Sequence, residues 1–232
     1  MRLEVLSEAW LPPRLLFRED RVRELEEVGG SCGVVAVVGP SGVGKTTLVR
    51  MAFPRAPLID CSLKRTYYSV VREAARLLGL PQSPLPVTVD RILEIGGKTV
   101  ILDDYTLAKR TQRLTSLVKK LAERNRVVLV CHPSIKAELV GLAETTIEMP
   151  PYSKEELYAI LEDRVVAGEL PVSEEALEVI SGKVGYPEGS GSARLAILIL
   201  RKALELAAEK KDPEVLAVHV EAALKLLMGG LL

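Results

Sequence analysis

The sequence is poor in cysteine and has no long uninterrupted apolar run. Its three cysteines, Cys32, Cys61 and Cys131, are odd in number, show no CxxC spacing and each border an apolar run. We therefore expect buried free thiols in a reducing compartment, and no disulfide framework or metal site. No apolar stretch approaches the roughly 20 residues that span a bilayer, and Met1-Arg2-Leu3-Glu4 does not open a signal peptide. These absences predict a cytoplasmic protein with no membrane partner.

The chain also lacks an excess of charge of either sign. Lys and Arg together number 31, as do Asp and Glu, so the formal net charge is zero. Zero net charge excludes a protein-wide field that attracts nucleic acid, and any DNA contact has to come from a local patch. Asn occurs once and Gln twice, which is typical of thermophile proteins. With 232 residues, the chain can bury one sizeable core, alone or with a smaller satellite domain.

Apolar runs and helical patterns alternate as far as residue 150, and helices alone follow. Continuous apolar strands indicate burial on both faces, hence a parallel sheet wrapped by helices. The first helix covers 18–28 and is ended by Gly29-Gly30. The predicted strands are 34–38, 57–60, 99–102, 127–131 and 145–148, and the helices between them are 45–51, 69–78, 89–95, 112–124 and 134–142. The later helices begin at Ser153, Ser173, Ser192 and Asp212, the last with Asp212 as N-cap and Pro213 as first helical residue. The sequence predicts a five-stranded α/β domain over 1–150 and an all-α four-helix domain over 151–232.

A glycine-rich loop follows the first predicted strand and precedes a helix. Its sequence, Gly39-Pro40-Ser41-Gly42-Val43-Gly44-Lys45-Thr46-Thr47, fits the P-loop pattern G-x-x-x-x-G-K-[ST] in full. Glycines let backbone N–H groups converge on a phosphate, and the helix N-terminus adds partial positive charge. Lys45 is predicted to span the β- and γ-phosphates, and the Thr46 hydroxyl to complete a Mg²⁺ shell. We therefore predict binding of ATP or ADP with Mg²⁺.

Two aspartates end the third predicted strand, in the stretch KTVILDDY at 98–105. Ligands bind at the carboxyl ends of strands in an open α/β sheet. Asp103 is predicted to hold Mg²⁺, directly or through water. Asp104 is predicted to orient and deprotonate the attacking water, at a place where many ATPases have the longer Glu. The alternative is two solvated turn aspartates after a buried strand.

A helical domain after a P-loop domain suggests the AAA+ plan, in which a helical lid contacts the nucleotide. Arg194, in the stretch GSAR at 191–194, stands near the start of the third lid helix. A long cationic side chain there is suited to reach the γ-phosphate, so that ATP and ADP hold the lid differently. The alternative is an ordinary solvated helix arginine.

The sequence resembles a known family, the AAA+ ATPases of the archaeal origin recognition complex and cell-division-control replication initiators. The most specific stretches are PPYSKEEL at 150–157 and SARLAILILRKALELA at 192–207. Others are FRED at 17–20, the P-loop, IDCS at 59–62, RTYY at 65–68 and HVEAA at 219–223. The resemblance implies that Arg194 is the lid sensor arginine and that Leu16, Phe17 and Tyr152 flank the adenine. It also implies a first sensor after the fourth strand, where His132 replaces the family's usual Asn; a helix-capping or loop histidine is the alternative.

Three features of that family are missing from the sequence. Its initiators have a winged-helix DNA-binding domain after the lid, and nothing follows Leu232. The segment 62–97 leaves little room for the insertion through which they contact DNA. The segment 133–149 contains no arginine, and Lys136 lacks the planar fork of an arginine finger. Because such a finger is worth about 10³ to 10⁵ in turnover, we expect slow hydrolysis that depends on a protein partner or an oligomer.

Basic residues do cluster locally, at 64–76 beside Tyr67-Tyr68 and at 109–126. A basic patch with aromatics binds phosphates or stacks bases, although solvated helix faces are the alternative. Any DNA binding is expected to be weak and sequence-tolerant. The leading prediction is an ATP-binding AAA+ ATPase that acts as a nucleotide switch in DNA replication or another DNA-linked assembly. The alternatives are a nucleotide-gated protein-interaction module with little hydrolysis and an archaeal ATPase of the signal-transduction type.

Overall fold

The computed structural model describes residues 1–28 and 32–228. Within these ranges the chain forms five β-strands and ten α-helices, with short 3-10 helices at Leu3–Leu6, Tyr105–Leu107 and Pro133–Ile135. Gly29 and Gly30, predicted to end the first helix, lie outside the described residues. Among the described helices, none has the length and apolar character needed to cross a membrane.

The five strands form one parallel sheet in the order β2-β3-β4-β1-β5. They are β1 (Gly33–Val38), β2 (Leu58–Asp60), β3 (Thr99–Asp103), β4 (Arg126–Cys131) and β5 (Thr145–Glu148). Every residue of β1, GVVAVV, is buried, as expected for the inner strand of a sheet covered on both faces. The prediction of a five-stranded parallel α/β fold is confirmed, and each strand end lies within one residue of its predicted position.

Six helices accompany the sheet. They are α1 (Glu19–Val28), α2 (Lys45–Ala52), α3 (Tyr67–Leu77), α4 (Leu85–Glu94), α5 (Gln112–Ala122) and α6 (Lys136–Leu139). The prediction of one helix over 134–142 is wrong, because the chain forms a 3-10 turn and then only four α-helical residues. Val140 turns to an extended conformation and Gly141 has a φ of +75°, which ends the helix.

Four helices follow residue 150 in the described chain. They are α7 (Lys154–Gly168), α8 (Glu174–Val184), α9 (Ala193–Lys210) and α10 (Ala217–Met228). The side chains of Ser153, Ser173 and Ser192 each accept the N–H of the residue three positions later, at 3.2–3.3 Å. These N-caps confirm the predicted starts of α7, α8 and α9.

The predicted start of the last helix at Asp212 is wrong. Val215 instead bridges to the segment before α8, since its N–H donates to the Pro171 carbonyl at 2.8 Å. Asp212 accepts a hydrogen bond from the buried His219 at 2.9 Å, so it does not cap a helix. The Nδ1 of His219 accepts the Leu216 N–H at 3.1 Å, and α10 begins at Ala217.

By its internal contacts the chain divides into two compact units. The sheet unit consists of 18–39 and 45–149 and therefore contains β1 to β5 and α1 to α6. The helical unit consists of 1–17, 40–44 and the chain from Pro150 onward, and contains α7 to α10. That 1–150 and 151–232 are separate domains stays a prediction.

The three cysteines differ in their surroundings. Cys61 and Cys131 are buried free thiols, as predicted, and burial raises the pKa of each to about 12. Cys32 is exposed, so the prediction that all three are buried is wrong. The reason is its position, because it precedes Gly33, the first buried residue of β1.

Candidate nucleotide-binding site

The loop 39–47 connects the end of β1 to the start of α2. Gly42 and Gly44 have φ values of +80° and +88°, a region that favours glycine. The Gly39 N–H donates to the Cys131 carbonyl at 3.2 Å, which continues the pairing of β1 with β4. Val43 is fully buried. The backbone conformation therefore depends on the glycines of the P-loop pattern, as the pattern predicts.

Lys45 is the first residue of α2. Its Nζ donates to the Gly39 carbonyl at 2.8 Å, across the loop. A phosphate oxygen is a stronger acceptor for an ammonium group than a neutral carbonyl is. The lysine therefore lies beside the loop, where a bound phosphate would compete for its proton donors.

Thr46 and Asp103 meet at the carboxyl edge of the sheet. The Thr46 hydroxyl donates to the Asp103 carboxylate, with its oxygen 3.0 and 3.1 Å from the two carboxylate oxygens. Burial raises the pKa of Asp103, and the charges of Asp104 and Asp60 raise it further, while the Thr46 hydrogen bond opposes them. A divalent cation would relieve this penalty, because it supplies the positive charge that the buried carboxylate lacks.

The residues present fit a Mg²⁺ ion that is bound by both the protein and the phosphates of a nucleotide. In the part of the chain that the structure describes, no group of three His, Cys, Asp or Glu side chains is arranged to hold a metal. Mg²⁺ keeps several waters and is usually bound through one or two carboxylates and substrate phosphates. Thr46 and Asp103 match that pattern.

Asp104 differs from its neighbour. It is exposed, and its φ of +48° is unusual for a residue other than glycine. Its N–H donates to Asp103 at 3.1 Å. Of the two aspartates, only Asp104 matches the alternative of a solvated turn residue, and that exposure also suits a side chain that has to meet a water.

His132 directly follows β4, where the first sensor was expected. Its Nδ1 accepts the Ser134 N–H at 3.2 Å, which caps the 3-10 helix Pro133–Ile135. The backbone N–H of His132 donates to the Thr106 hydroxyl at 2.7 Å. The capping alternative is therefore what the structure has, and the sensor role stays a prediction. Thr106, which joins this residue to the turn after Asp104, was missed because nothing in the local sequence marks it.

In the helical unit, the start of α9 contacts the loop. The Arg194 N–H donates to the Gly42 carbonyl at 3.4 Å. A Cβ atom on Gly42 would lie 3.1 Å from the Arg194 Cβ. The Arg194 Nε lies 3.3 Å from a carboxylate oxygen of Glu8, and both side chains are largely exposed. Glu8 was not predicted, because it lies near the other end of the chain from Arg194.

The residues predicted to flank the adenine lie at different depths. Tyr152 is buried, and its hydroxyl is 3.4 Å from where a Cβ on Gly44 would stand. Leu15, which was not predicted, lies at the same distance from that point. Leu16 is half-buried, and Phe17 is 46% exposed with a φ of +62°. The structure thus brings Tyr152 and Leu15 to the loop, and the adenine role of Leu16, Phe17 and Tyr152 stays a prediction.

Curated relatives give the first comparison; no family model matches the chain. The ORC1-type DNA replication protein 2 of Saccharolobus solfataricus is 26% identical over 94% of this chain and 65% of that protein. The ORC1-type DNA replication protein 2 of Methanothermobacter thermautotrophicus is 38% identical over 82% of this chain and 58% of that protein. The chain thus spans a little under two thirds of the length of the curated relatives it matches.

Solved structures give the second comparison. Cdc6p from Pyrobaculum aerophilum superposes with a TM-score of 0.85 at 23% identity, over 97% of this chain and 71% of that one. The Aeropyrum pernix ORC2 protein, in ADPNP-ADP complexes, gives 0.81 at 21% identity over 97% and 71%. The Aeropyrum pernix ORC1 protein, in complex with DNA, gives 0.83 at 21% identity over 97% and 69%. These likenesses establish the AAA+ fold of a five-stranded core followed by a helical lid.

Proposed function

Because the chain is a homologue of the ORC1- and Cdc6-type replication proteins of archaea, we propose that it is an ATP-binding AAA+ ATPase with slow or partner-dependent hydrolysis. The observation that carries the proposal is the hydrogen bond between Thr46 and Asp103, which joins the P-loop helix to the aspartate strand. A glycine turn with no role in nucleotide binding would not require a buried carboxylate beside Thr46.

The residues divide the work as follows. Backbone N–H groups of the loop 39–47 bind the phosphates, and Lys45 spans the β- and γ-phosphates of ATP. Thr46 and Asp103 would hold Mg²⁺, which when bound would supply positive charge to the phosphate oxygens. Asp104, exposed at the end of β3, orients the attacking water and accepts its proton. Arg194 takes up charge on the γ-phosphate and so distinguishes ATP from ADP.

Slow hydrolysis is supported by the segment 133–149. It contains no arginine, and its one lysine, Lys136, is ion-paired with Glu148. A cation that stabilises a phosphoryl-transfer transition state has to come from elsewhere, and its loss costs about 10³ to 10⁵ in turnover. We therefore propose that a protein partner or an oligomer completes the site in the cytoplasm.

The assembly that the switch serves is proposed to be DNA replication or another DNA-linked process. Support comes from the relatives, which are DNA replication proteins by name, and from the similar Aeropyrum pernix ORC1 protein, solved in complex with DNA. Binding to DNA by this chain is proposed to be weak and sequence-tolerant, since its formal net charge is zero.

Nucleotide titration of the Lys45→Ala variant tests the proposal. We expect affinity for ATP to fall at least about tenfold, because removing a charged hydrogen-bond donor costs roughly 1.5–3 kcal/mol. Arg50→Ala is the matched control, since it removes an exposed cation from the same helix. Unchanged ATP affinity in Lys45→Ala would overturn the proposal.

A second candidate is a nucleotide-gated protein-interaction module that binds ATP or ADP and barely hydrolyses it. The ion pair of Lys136 with Glu148 favours it, because it occupies the only cation of the segment 133–149. A single-turnover assay with and without DNA separates the candidates. Several turnovers by the purified protein would discard the module.

A further inference from the structure

A cavity of about 500 Å³ lies in the sheet unit, where the two basic clusters of the sequence come together. The Lys109 N–H donates to the Arg65 carbonyl at 2.6 Å, which joins the segment before α5 to the segment before α3. The lining includes Thr66, Tyr67, Tyr68, Lys109, Thr111 and Arg113. None of these belongs to the loop 39–47, and the described lining contains no acidic residue.

The two cations of the lining are not neutralised. Lys109 and Arg113 are exposed, and within 1–28 and 32–228 neither forms an ion pair with a carboxylate. Three basic neighbours do form such pairs: Arg110 with Glu138, and both Lys64 and Arg76 with Glu73. The positive charge of Lys109 and Arg113 is therefore not offset by a carboxylate of the described residues, and an anionic ligand would complement it.

The aromatic part of the lining is held in place. The Arg72 guanidinium carbon lies 5.2 Å from the centroid of the Tyr68 ring, and its Nε donates to the Tyr68 hydroxyl at 3.2 Å. Arg72 is itself fixed by a hydrogen bond to the Ser83 carbonyl at 3.0 Å. Tyr68 is nevertheless 54% exposed. A fixed and exposed ring loses little entropy when a flat ligand stacks on it.

Two helices begin at the cavity. Thr66 caps α3 and Thr111 caps α5, each by accepting an N–H at the helix start. The N-terminal ends of helices carry partial positive charge, which adds to that of Lys109 and Arg113. The surroundings therefore combine charge for phosphates with an aromatic surface for a base.

We propose that this cavity binds single-stranded DNA, with an unpaired base stacked on Tyr68 and the adjacent phosphates at Lys109 and Arg113. Aromatic stacking with cationic backbone contacts is how proteins bind single strands without sequence preference. In a duplex the faces of each base are covered by its neighbours, so the tyrosine has no face to stack on. An acidic peptide would complement the cations and leave the tyrosine unused. This proposal rests on the DNA binding proposed above and deepens it, because it names the form of DNA and the residues that bind it.

Fluorescence anisotropy with a labelled oligothymidine of about 16 nucleotides tests the proposal. Tyr68→Ala is expected to weaken binding by about 5-fold to 150-fold, the range of one lost base stack. Tyr186→Ala is its control, because that tyrosine is exposed to nearly the same extent, 55% against 54%. Affinity for ATP should stay unchanged in both, so that failure here is distinguishable from failure of the P-loop proposal.

The charge contribution is tested by a pair of double variants. Lys109→Gln with Arg113→Gln is expected to reduce the dependence of log K on log salt by about 1.4, since each phosphate contact contributes about 0.7. Lys119→Gln with Lys120→Gln removes the same charge from exposed positions of α5 that do not line the cavity, and should change the slope far less. Absence of binding by the wild type, equal effects of the two double variants, or insensitivity to Tyr68→Ala would each overturn the proposal. The proposal would also be overturned if duplex DNA or a polyglutamate peptide bound as tightly as the oligothymidine and competed with it for the cavity.

Discussion

Gly42 of the P-loop and Ser192 at the N-cap of α9 approach so closely that a Cβ on Gly42 would lie 1.9 Å from the Ser192 hydroxyl oxygen. Glycine is needed there twice over, because its φ is also +80°. We expect Gly42→Ala to lower the free energy of unfolding by about 1–3 kcal/mol from backbone strain alone, with the clash in addition. Denaturant unfolding measures the change.

A second variant isolates the contact. Ser192→Gly removes the hydroxyl, and by itself costs only a few tenths of a kcal/mol because glycine is an acceptable N-cap. In that background Gly42→Ala should cost less than in the wild type, by the amount that the clash contributed. Equal costs in both backgrounds would contradict the close approach.

Asp103→Asn is expected to stabilise the nucleotide-free protein while abolishing Mg²⁺-dependent nucleotide binding. Burial raises the pKa of Asp103, so the folded state holds this proton more tightly than the unfolded state does. The resulting penalty is absent below the unfolded pKa and grows as the pH rises through the folded pKa. Asn at this position carries no charge to bury.

Thermal unfolding at pH 4 and pH 7 checks this prediction. The gain in stability should be larger at pH 7 than at pH 4, because the penalty from the raised pKa of Asp103 grows as the pH rises. Asp90→Asn, which removes the same charge from an exposed position of α4, is the control. A variant that is less stable than the wild type at pH 7 would show that the charge of Asp103 is compensated within the apo protein.

Glu8→Gln is expected to raise ATP affinity and leave ADP affinity unchanged, if Arg194 interacts with the γ-phosphate. The carboxylate of Glu8 pairs with Arg194 at 3.3 Å and competes with that phosphate. Both side chains are mostly exposed, so the gain is at most roughly 5-fold and should fade at high salt. Glu4→Gln, in the N-terminal 3-10 helix that precedes Glu8, is the control, and titration of both nucleotides measures the effect. An equal effect on ADP affinity would show that Glu8 does not compete with the γ-phosphate for Arg194.

Thr106→Val is expected to lower kcat with little change in KM. The Thr106 hydroxyl accepts the His132 N–H at 2.7 Å and so ties the end of β4 to the turn that carries Asp104. Loss of the hydrogen bond costs roughly 0.5–1.5 kcal/mol of stability and loosens that turn. Thr106→Ser keeps the hydroxyl and should retain wild-type turnover. Steady-state kinetics of the wild type and the two variants measures the effect. An equal loss of kcat in Thr106→Ser and Thr106→Val would exclude the hydrogen bond as the cause.

The sheet and the P-loop were predictable because their signals are local. The strands β1, β3 and β4 contain continuous apolar runs, and the two loop glycines with positive φ, Gly42 and Gly44, lie inside the P-loop pattern itself. Asp103 and Asp104 follow directly on a buried strand. These features need no knowledge of what other parts of the chain contact.

Features set by distant parts of the chain were missed or misplaced. Asp212 followed by Pro213 has the local pattern of a helix start, but the bridge from Val215 to Val172 and the hydrogen bond from His219 override it. The contacts of Arg194 with Glu8 and Gly42 likewise join segments that are remote in the chain. Long-range pairing of this kind leaves no periodicity in the sequence.

The contrast between Cys32 and the two buried thiols has a practical consequence. Thiol reagents attack the thiolate, which Cys61 and Cys131 scarcely form, because burial raises the pKa of each to about 12. Cys32, exposed just before β1, is the one cysteine open to a maleimide dye. The sequence therefore accepts a single fluorescent label without any mutation, and the nucleotide and DNA titrations can be followed by that label.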